Sequence, residues 1–350
     1  MKYLKIILLP FSWLYGGIMN LRNFLYDKGL LESQGFNLPV IVVGNLTVGG
    51  TGKTPHVEYL LRLFNVYKSI ATLSRGYKRN TRGFVLADVS ATAATIGDEP
   101  FQYYQDHPNV HVAVCEDRVK GIEQLQHLFP ELNLVILDDA MQHRPVQPSF
   151  NILITDYNRL FYKDYVMPAG LLREPRKGAN RADAVVVSKC PPNMDKGEMQ
   201  RIKDNICKYT KPDTPVFFSC FRYGLPVAVG AKAMLKKKAI LVTGIANPAP
   251  LKSYLNVNGY TIFEQLSFSD HHQYTLQNII KLQELLKNDK YKDAVILTTS
   301  KDAVKLTGPD LVESISRLPV FYVPIEVQFL QNAEAFDRLV LQHIQSFLKY

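Results

Sequence analysis

The run Thr47-Val-Gly-Gly-Thr-Gly-Lys-Thr54 sets Gly49, Gly50 and Gly52 just ahead of Lys53 and Thr54. It follows the apolar stretch Pro39-Val-Ile-Val-Val43 and precedes a helix-like segment. Glycines let successive backbone N–H groups turn inward onto phosphate oxygens. A lysine in this place reaches the β- and γ-phosphates, and a threonine hydroxyl after it suits a Mg²⁺ ion. A helix opening near Thr54-Pro55 adds its positive end, with proline tolerated in the first turn. Thr47 stands where the general G-x4-G-K-[ST] pattern has its first glycine. The order strand, glycine loop, helix still distinguishes a triphosphate cradle over residues 47–54, Val48 and Thr51 included, from a glycine-rich surface turn.

Three further constellations carry chemistry. In Leu134-Val-Ile-Leu-Asp-Asp139, four apolar residues form a buried strand and two carboxylates emerge at its C-terminal end, where open α/β sheets place ligands. An aspartate there typically holds the Mg²⁺ of a phosphoryl-transfer site, directly or through water. In Gly97-Asp-Glu-Pro100, Asp98 and Glu99 read either as a helix cap with an acidic first turn or as a base beside a metal ligand. In Phe268-Ser-Asp-His-His272, a histidine beside Asp270 suits the tuning of a general base, while Asp270 alone suits capping the helix that follows.

The elements that must position these groups alternate along the chain. Short apolar runs predict strands at 40–43, 69–73, 110–114, 134–137, 152–155, 184–187, 216–219, 239–243, 261–263, 295–298 and 320–323. Amphipathic stretches predict helices at 54–65, 117–128, 196–209, 250–256, 274–286 and 333–348. This is the pattern of βα units on a mainly parallel sheet. The stretch Phe221–Lys238, with Gly224, Pro226, Gly230 and three successive lysines, reads as a crossover between two units. The expected organisation is an N-terminal segment over 1–34, a nucleotide-binding domain over 35–222 and a smaller α/β domain over 223–350. A cleft between two such units is a common place for a substrate.

Composition narrows the partners. The chain of 350 residues carries 41 Lys+Arg against 32 Asp+Glu, a formal charge of +9, which suits an anionic partner. Its four cysteines are too scattered for a zinc site and read as reduced thiols. From Ile6 to Leu21 no residue is charged, but Pro10, Gly16 and Gly17 interrupt the run. It falls short of the roughly 20 residues needed to span a bilayer. No small-residue cleavage site follows, so a signal peptide is not expected. Lys2, Lys5, Arg22 and Lys28 flank aromatic and aliphatic residues, as in a helix lying in an anionic membrane interface. The alternative is a helix docked on the protein's own core.

A GTPase would need [NT]-K-x-D after a buried strand. Thr210-Lys-Pro-Asp213 fits the letters at the wrong end of a strand, and Ser188-Lys-Cys-Pro191 lacks the acid. No aromatic-basic motif points to nucleic acid. A membrane-associated ATPase that phosphorylates no lipid is the remaining alternative.

Together the motifs resemble one family. Gly44-Asn45 with the phosphate loop through Pro55, Ser74-Arg-Gly-Tyr77, Gly97–Pro100, Leu137-Asp-Asp-Ala-Met-Gln-His143, Pro168–Pro175, Thr243–Pro248, Asp270-His-His272 and Lys301-Asp-Ala-Val-Lys305 are similar to the tetraacyldisaccharide 4′-kinases of lipid A synthesis. The resemblance spans the N-terminus to about residue 310, and Thr47 is normal within it. Ala140-Met141, Leu172 and Ser300 depart from the residues usual there.

The resemblance implies a two-lobed P-loop α/β fold with a membrane-interface helix on the cytoplasmic face of the bacterial inner membrane. It also implies ATP and Mg²⁺, and an acylated disaccharide 1-phosphate as acceptor, with no nucleic acid and no obligate protein partner. Position by position, Asp98 matches the catalytic base, His271 its partner and Lys53 the phosphate-loop lysine. Thr54, Glu99, Asp138 and Asp139 fall in the motifs that organise Mg²⁺. Asn45, Gln142, His143 and Arg173 are the implied substrate contacts. Whether Arg173 and Arg176 grip the sugar, the 1-phosphate or the membrane stays open.

Overall fold

The computed structural model describes residues 2–348 apart from Lys232, His271, Lys292 and Pro309. Its strands are β1 Val40–Gly44, β2 Ile70–Ser74, β3 Val85–Leu86, β4 Val110–Val114, β5 Leu134–Asp138, β6 Phe150–Asp156 and β7 Ala184–Ser188. They continue with β8 Val216–Tyr223, β9 Val227–Ala228, β10 Lys238–Thr243, β11 Thr261–Ser267, β12 Val295–Thr299, β13 Val320–Val323 and β14 Ile325–Phe329. Among the described residues they form a nine-stranded sheet, ordered β14-β8-β7-β6-β1-β5-β2-β4-β3, and a five-stranded sheet, ordered β11-β10-β12-β13-β9. Pairing is parallel except for β14 on β8, β3 on β4 and β9 on β13.

The central strands are apolar without interruption because both faces are covered. On β1, Ile41 and Val43 join one core with Val57, Leu60 and Leu61 of the helix Lys53–Leu63. Val40 and Val42 join the opposite core with Ile122 and Leu125 of the helix Arg118–Leu128. The smaller sheet repeats the arrangement, with Ile240 and Val242 of β10 on one side and Ala239 and Leu241 on the other. Fully burying a side chain of this size stabilises by about 1.5–3 kcal/mol.

The domain boundary needs one correction. The expected C-terminal unit over 223–350 ends at β13. Ile325–Phe329 returns to the larger sheet as an antiparallel edge on β8. The helix Ala333–Leu348 then lays Phe336, Val340 and Ile344, spaced four apart, into the larger core. Tyr59 ties it down by donating to Asp337 Oδ1 at 2.7 Å. The apolar stripe of that helix is legible in sequence, but its destination is not.

The N-terminal helix Lys2–Asp27 is amphipathic in an inverted sense. Its inward side docks through polar groups. Ser12 Oγ accepts from the Ala169 amide at 2.9 Å, and Tyr15 donates to the Arg173 carbonyl at 2.9 Å. Arg22 donates to the Gln142 carbonyl at 3.0 Å, and Asn23 to Glu174 Oε2 at 2.8 Å. Ile7, Phe11, Leu14, Ile18 and Leu21 line the outward side and are exposed, as is Trp13. The helix is thus docked on the rest of the chain through one side, the alternative to a free interfacial helix, and its other side is left uncovered. No helix among the described residues is long and apolar enough to cross a membrane.

Candidate active site

The phosphate loop runs from the C-terminal end of β1 into a helix that begins at Lys53, one residue before the expected start. Gly52 caps that helix in a left-handed conformation, φ 90°, which a side chain would strain. Behind the loop, Asn45 is fully buried and its amide donates to Thr51 Oγ1 at 2.9 Å. The loop is also zipped to the segment Pro168–Pro175. The Val48 amide donates to the Leu171 carbonyl at 2.8 Å, and the Arg173 amide to the Leu46 carbonyl at 2.7 Å.

β5 lies beside β1 in parallel register, so Asp138 sits opposite Val43 and the aspartate pair emerges next to the loop. Lys53 Nζ stands 3.5 Å from Asp139 Oδ1. Arg173 grips the same carboxylate with both arms, at 2.8 and 3.1 Å. Burial pushes the Asp139 carboxyl up, but Lys53 and Arg173 outweigh it and hold it below the ordinary carboxylate range. Asp138 is buried and accepts from the Tyr103 hydroxyl at 3.0 Å on Oδ2, while its Oδ1 has no hydrogen-bond partner. Burial raises its pKa to about 7 against the pull of Lys53, with Asp139 and Glu99 raising it further.

Asp98 and Glu99 reach the same place from another direction. Gly97, at φ 97°, packs so closely on Gly76 that an added Cβ would lie 3.2 Å from the Gly76 Cα. The helix Asp98–Asp106 starts directly after that contact. Asp98 is its first helical residue rather than its cap, since Gly97 occupies the cap position and no side chain closes it. The helix Ser300–Leu306, between β12 and β13 of the smaller sheet, faces these two acids. Lys301 Nζ lies 3.4 Å from Glu99 and 3.4 Å from Asp270. Lys305 Nζ, almost fully buried, lies 3.9 Å from Asp98 and 3.0 Å from Asp302. The Gly244 amide and the Thr299 hydroxyl donate to Asp302 at 2.9 and 2.7 Å, fixing it to the ends of β10 and β12. Asp270 does not cap the next helix either. Thr275 does, accepting from the Asn278 amide. His271 lies outside the described residues.

A phosphate loop, an acid pair beside it and a second acid pair closed from a smaller unit make a kinase-like cleft, and comparison with known proteins identifies the lineage. The family model for tetraacyldisaccharide-1-P 4′-kinase matches residues 4–345. The chain belongs to that family. The tetraacyldisaccharide 4′-kinase of Cytophaga hutchinsonii is 48% identical over 93% of this chain and 92% of its own. That of Flavobacterium psychrophilum is 41% identical over 99% and 98%. The crystal structure of the Aquifex aeolicus enzyme LpxK in complex with ATP superposes with a TM-score of 0.74 at 31% identity, covering 97% of this chain and 99% of that one. The P-loop α/β fold expected from the sequence is thus the fold of the 4′-kinases.

In this 4′-kinase chain the other expected site residues divide by environment. Arg173 is at the acid pair. Gln142 is half-buried, its amide donating to the Asn45 carbonyl at 2.8 Å and to Glu174 Oε1 at 2.9 Å. His143 Nε2 accepts from the Arg118 amide at 3.3 Å. Burial, with Arg118 close by, pushes its pKa down to about 4, so it is neutral at physiological pH. Asn45 is fully buried against the loop, its side-chain amide donating to Thr51 Oγ1. Tyr103, Lys301 and Lys305 touch the acids of the site, and the sequence alone assigned them no part in it. The only signal was Lys301-Asp-Ala-Val-Lys305, whose lysines at i and i+4 share one helix face.

The unpartnered Oδ1 of the buried Asp138 carboxyl fits a divalent ion. Among the described residues no three His, Cys, Asp or Glu side chains are gathered closely enough to hold a metal by themselves, so a Mg²⁺ ion here would take its remaining ligands from elsewhere. This ion is usually held by one or two carboxylates together with substrate phosphates.

Proposed function

We propose that the chain transfers the γ-phosphate of ATP to the 4′-hydroxyl of a tetraacylated glucosamine disaccharide 1-phosphate, the lipid A precursor, with Mg²⁺. The observation that carries this reading is the convergence of Lys53, Asp138 and Asp139 from the larger unit on one cleft. Asp98 and Glu99 line the same cleft, with Lys301 and Lys305 of the smaller unit against them. Lys53 stabilises the charge on the migrating phosphoryl group. Asp98 takes the proton of the 4′-hydroxyl as that oxygen bonds to the γ-phosphorus and ADP departs. His271 acts as the partner of that base. Thr54, Asp138 and Glu99 would hold Mg²⁺, which would neutralise phosphate charge. Asp139, bridging Lys53 and Arg173, keeps both cations in place.

The acceptor is a lipid, and the N-terminal helix supports how it reaches the cleft. The polar side of that helix is bonded to Arg173, Gln142 and Glu174, next to the acid pair, while its apolar side is open. A helix with Lys and Arg at its flanks and aromatics outward rests in the interface of an anionic leaflet. Peripheral attachment to the cytoplasmic face of the inner membrane would present acyl chains to that side and the sugar to the cleft. The test is incubation with γ-labelled ATP, Mg²⁺ and the tetraacyldisaccharide 1-phosphate. Label on the 4′ position supports the reading. ADP release independent of the acceptor would favour a lipid-blind ATPase instead.

A further inference from the structure

The turn Ser188-Lys-Cys-Pro191, which has a GTPase-like lysine without the guanine-reading acid, does not simply face solvent. It reaches past the end of β6 to the back of the phosphate loop. Lys189 Nζ donates to the Gly50 carbonyl. Ser188 Oγ donates to the Thr51 carbonyl at 2.6 Å. His56, from the first turn of the following helix, donates through Nδ1 to the Gly52 carbonyl at 2.7 Å. Three successive carbonyls of the loop are therefore each held by a different side chain.

A trans peptide is planar, so the N–H of each residue points opposite to the carbonyl before it. Fixing the carbonyls of 50, 51 and 52 from behind directs the N–H groups of Thr51, Gly52 and Lys53 to the opposite side. Successive N–H groups so aligned form an anion-binding concavity. The donors are themselves fixed. Lys189 Nζ is ion-paired with Asp156 at 2.7 Å, and its backbone is left-handed at φ 57°. Ser188 is fully buried. His56 Nε2 accepts from Ser219 Oγ at 3.0 Å, and the ring is buried.

We propose that Lys189, Ser188 and His56 form a brace on the carbonyl side of the phosphate loop that presets it for a triphosphate. Lys189 is the positioning residue that sets ATP affinity without touching the nucleotide's reacting atoms. The inference rests on the reading of residues 47–54 as the ATP site. A glycine-rich loop left unbraced would have to lose its conformational freedom on binding, which weakens binding rather than the chemical step.

The experiment compares Lys189→Met, Lys189→Arg and Ser188→Ala in the full chain, measuring KM for ATP, KM for the acceptor lipid, kcat and Tm. Lys189→Met should raise KM for ATP by about tenfold or more, the worth of one charge-assisted hydrogen bond. KM for the acceptor should stay within about twofold, the Arg variant should recover most of the loss, and Ser188→Ala should shift KM for ATP in the same direction. A parental KM for ATP in Lys189→Met overturns the proposal. So does a joint loss of kcat, acceptor affinity and Tm that Arg fails to restore, since that describes a strut of the fold. Lys53→Ala run alongside separates the two levels. If it retains turnover, the ATP-site reading itself falls. If it is inactive while Lys189→Met behaves as the parent, only the brace is rejected.

Discussion

Asp138 and Asp139 share one peptide bond, yet Asp138 is buried against the Tyr103 hydroxyl at 3.0 Å while Asp139 meets Lys53 at 3.5 Å and Arg173 at 2.8 Å. The divergence arises at Asp139, which leaves the strand in a left-handed conformation at φ 52°. A carboxyl bonded to a tyrosine hydroxyl and a carboxyl paired with two cations result, so the two acids have different work available. Asp138 has an oxygen without a hydrogen-bond partner, the one the proposed function gives to Mg²⁺, and Asp139 has the cations.

The division predicts distinct responses to Mg²⁺. Asp138→Asn should raise the Mg²⁺ concentration for half-maximal rate by roughly 10–100-fold, the scale seen when a metal's supporting groups are lost. Asp139→Asn should lower kcat with a much smaller change in Mg²⁺ dependence, because it releases Lys53 and Arg173. Rates measured against Mg²⁺ at saturating ATP decide it. Equal Mg²⁺ curves for both variants would refute the assignment.

Asp98→Asn should reduce kcat by about 10²–10⁴-fold, the range typical of a general base. KM for ATP should change little. If His271 acts through Asp98, adding His271→Ala to that variant should cost little more, since residues acting as a unit are non-additive. Steady-state kinetics on the singles and the double variant give the answer. Multiplicative losses would separate the two residues, and a parental kcat in Asp98→Asn would remove it from the mechanism.

The exposed side of the N-terminal helix predicts membrane dependence. Phe11→Glu with Leu14→Glu should release the protein from anionic vesicles and raise KM for the long-chain acceptor by about tenfold or more. Each apolar side chain withdrawn from burial costs on the order of 1.5–3 kcal/mol. A short-chain soluble acceptor should be phosphorylated as before. Undiminished cosedimentation of the variant with vesicles would place the anchor elsewhere.

Glu58 predicts a stability term with a defined sign. It is buried on the phosphate-loop helix, and desolvation raises its pKa from 4.5 to about 7, with Asp106 adding to the rise and the Gln102 amide, at 2.6 Å, opposing it. The folded protein therefore holds this proton more tightly than the unfolded chain. Its contribution is full below the ordinary value of 4.5 and is lost as pH rises through 7. Glu58→Gln should leave stability near pH 4.5 almost unchanged and raise it at pH 8 by up to about 3 kcal/mol. Denaturant unfolding at the two pH values measures this, and an equal shift at both would contradict a buried proton.

The sequence by itself determined the phosphate loop, the strands of both sheets except three, and the family. Each rests on a local signal: glycine spacing before Lys53, continuous apolar runs such as Val40–Val43, and motif order along the chain. The three unread strands are the two-residue Val85–Leu86 and Val227–Ala228, and Ile325–Phe329. The first two are too short to show a period, and the last is an edge whose pattern Ile-Glu-Val-Gln-Phe says nothing of which sheet it joins. Tertiary structure alone decided that β14 and the final helix return to the larger unit, and that Lys301 and Lys305 address Glu99 and Asp98 from some 200 residues away. It alone gave the adjacent acids opposite environments. A residue's type sets what chemistry is available, but burial and charge at its oxygens come from parts of the chain remote in sequence.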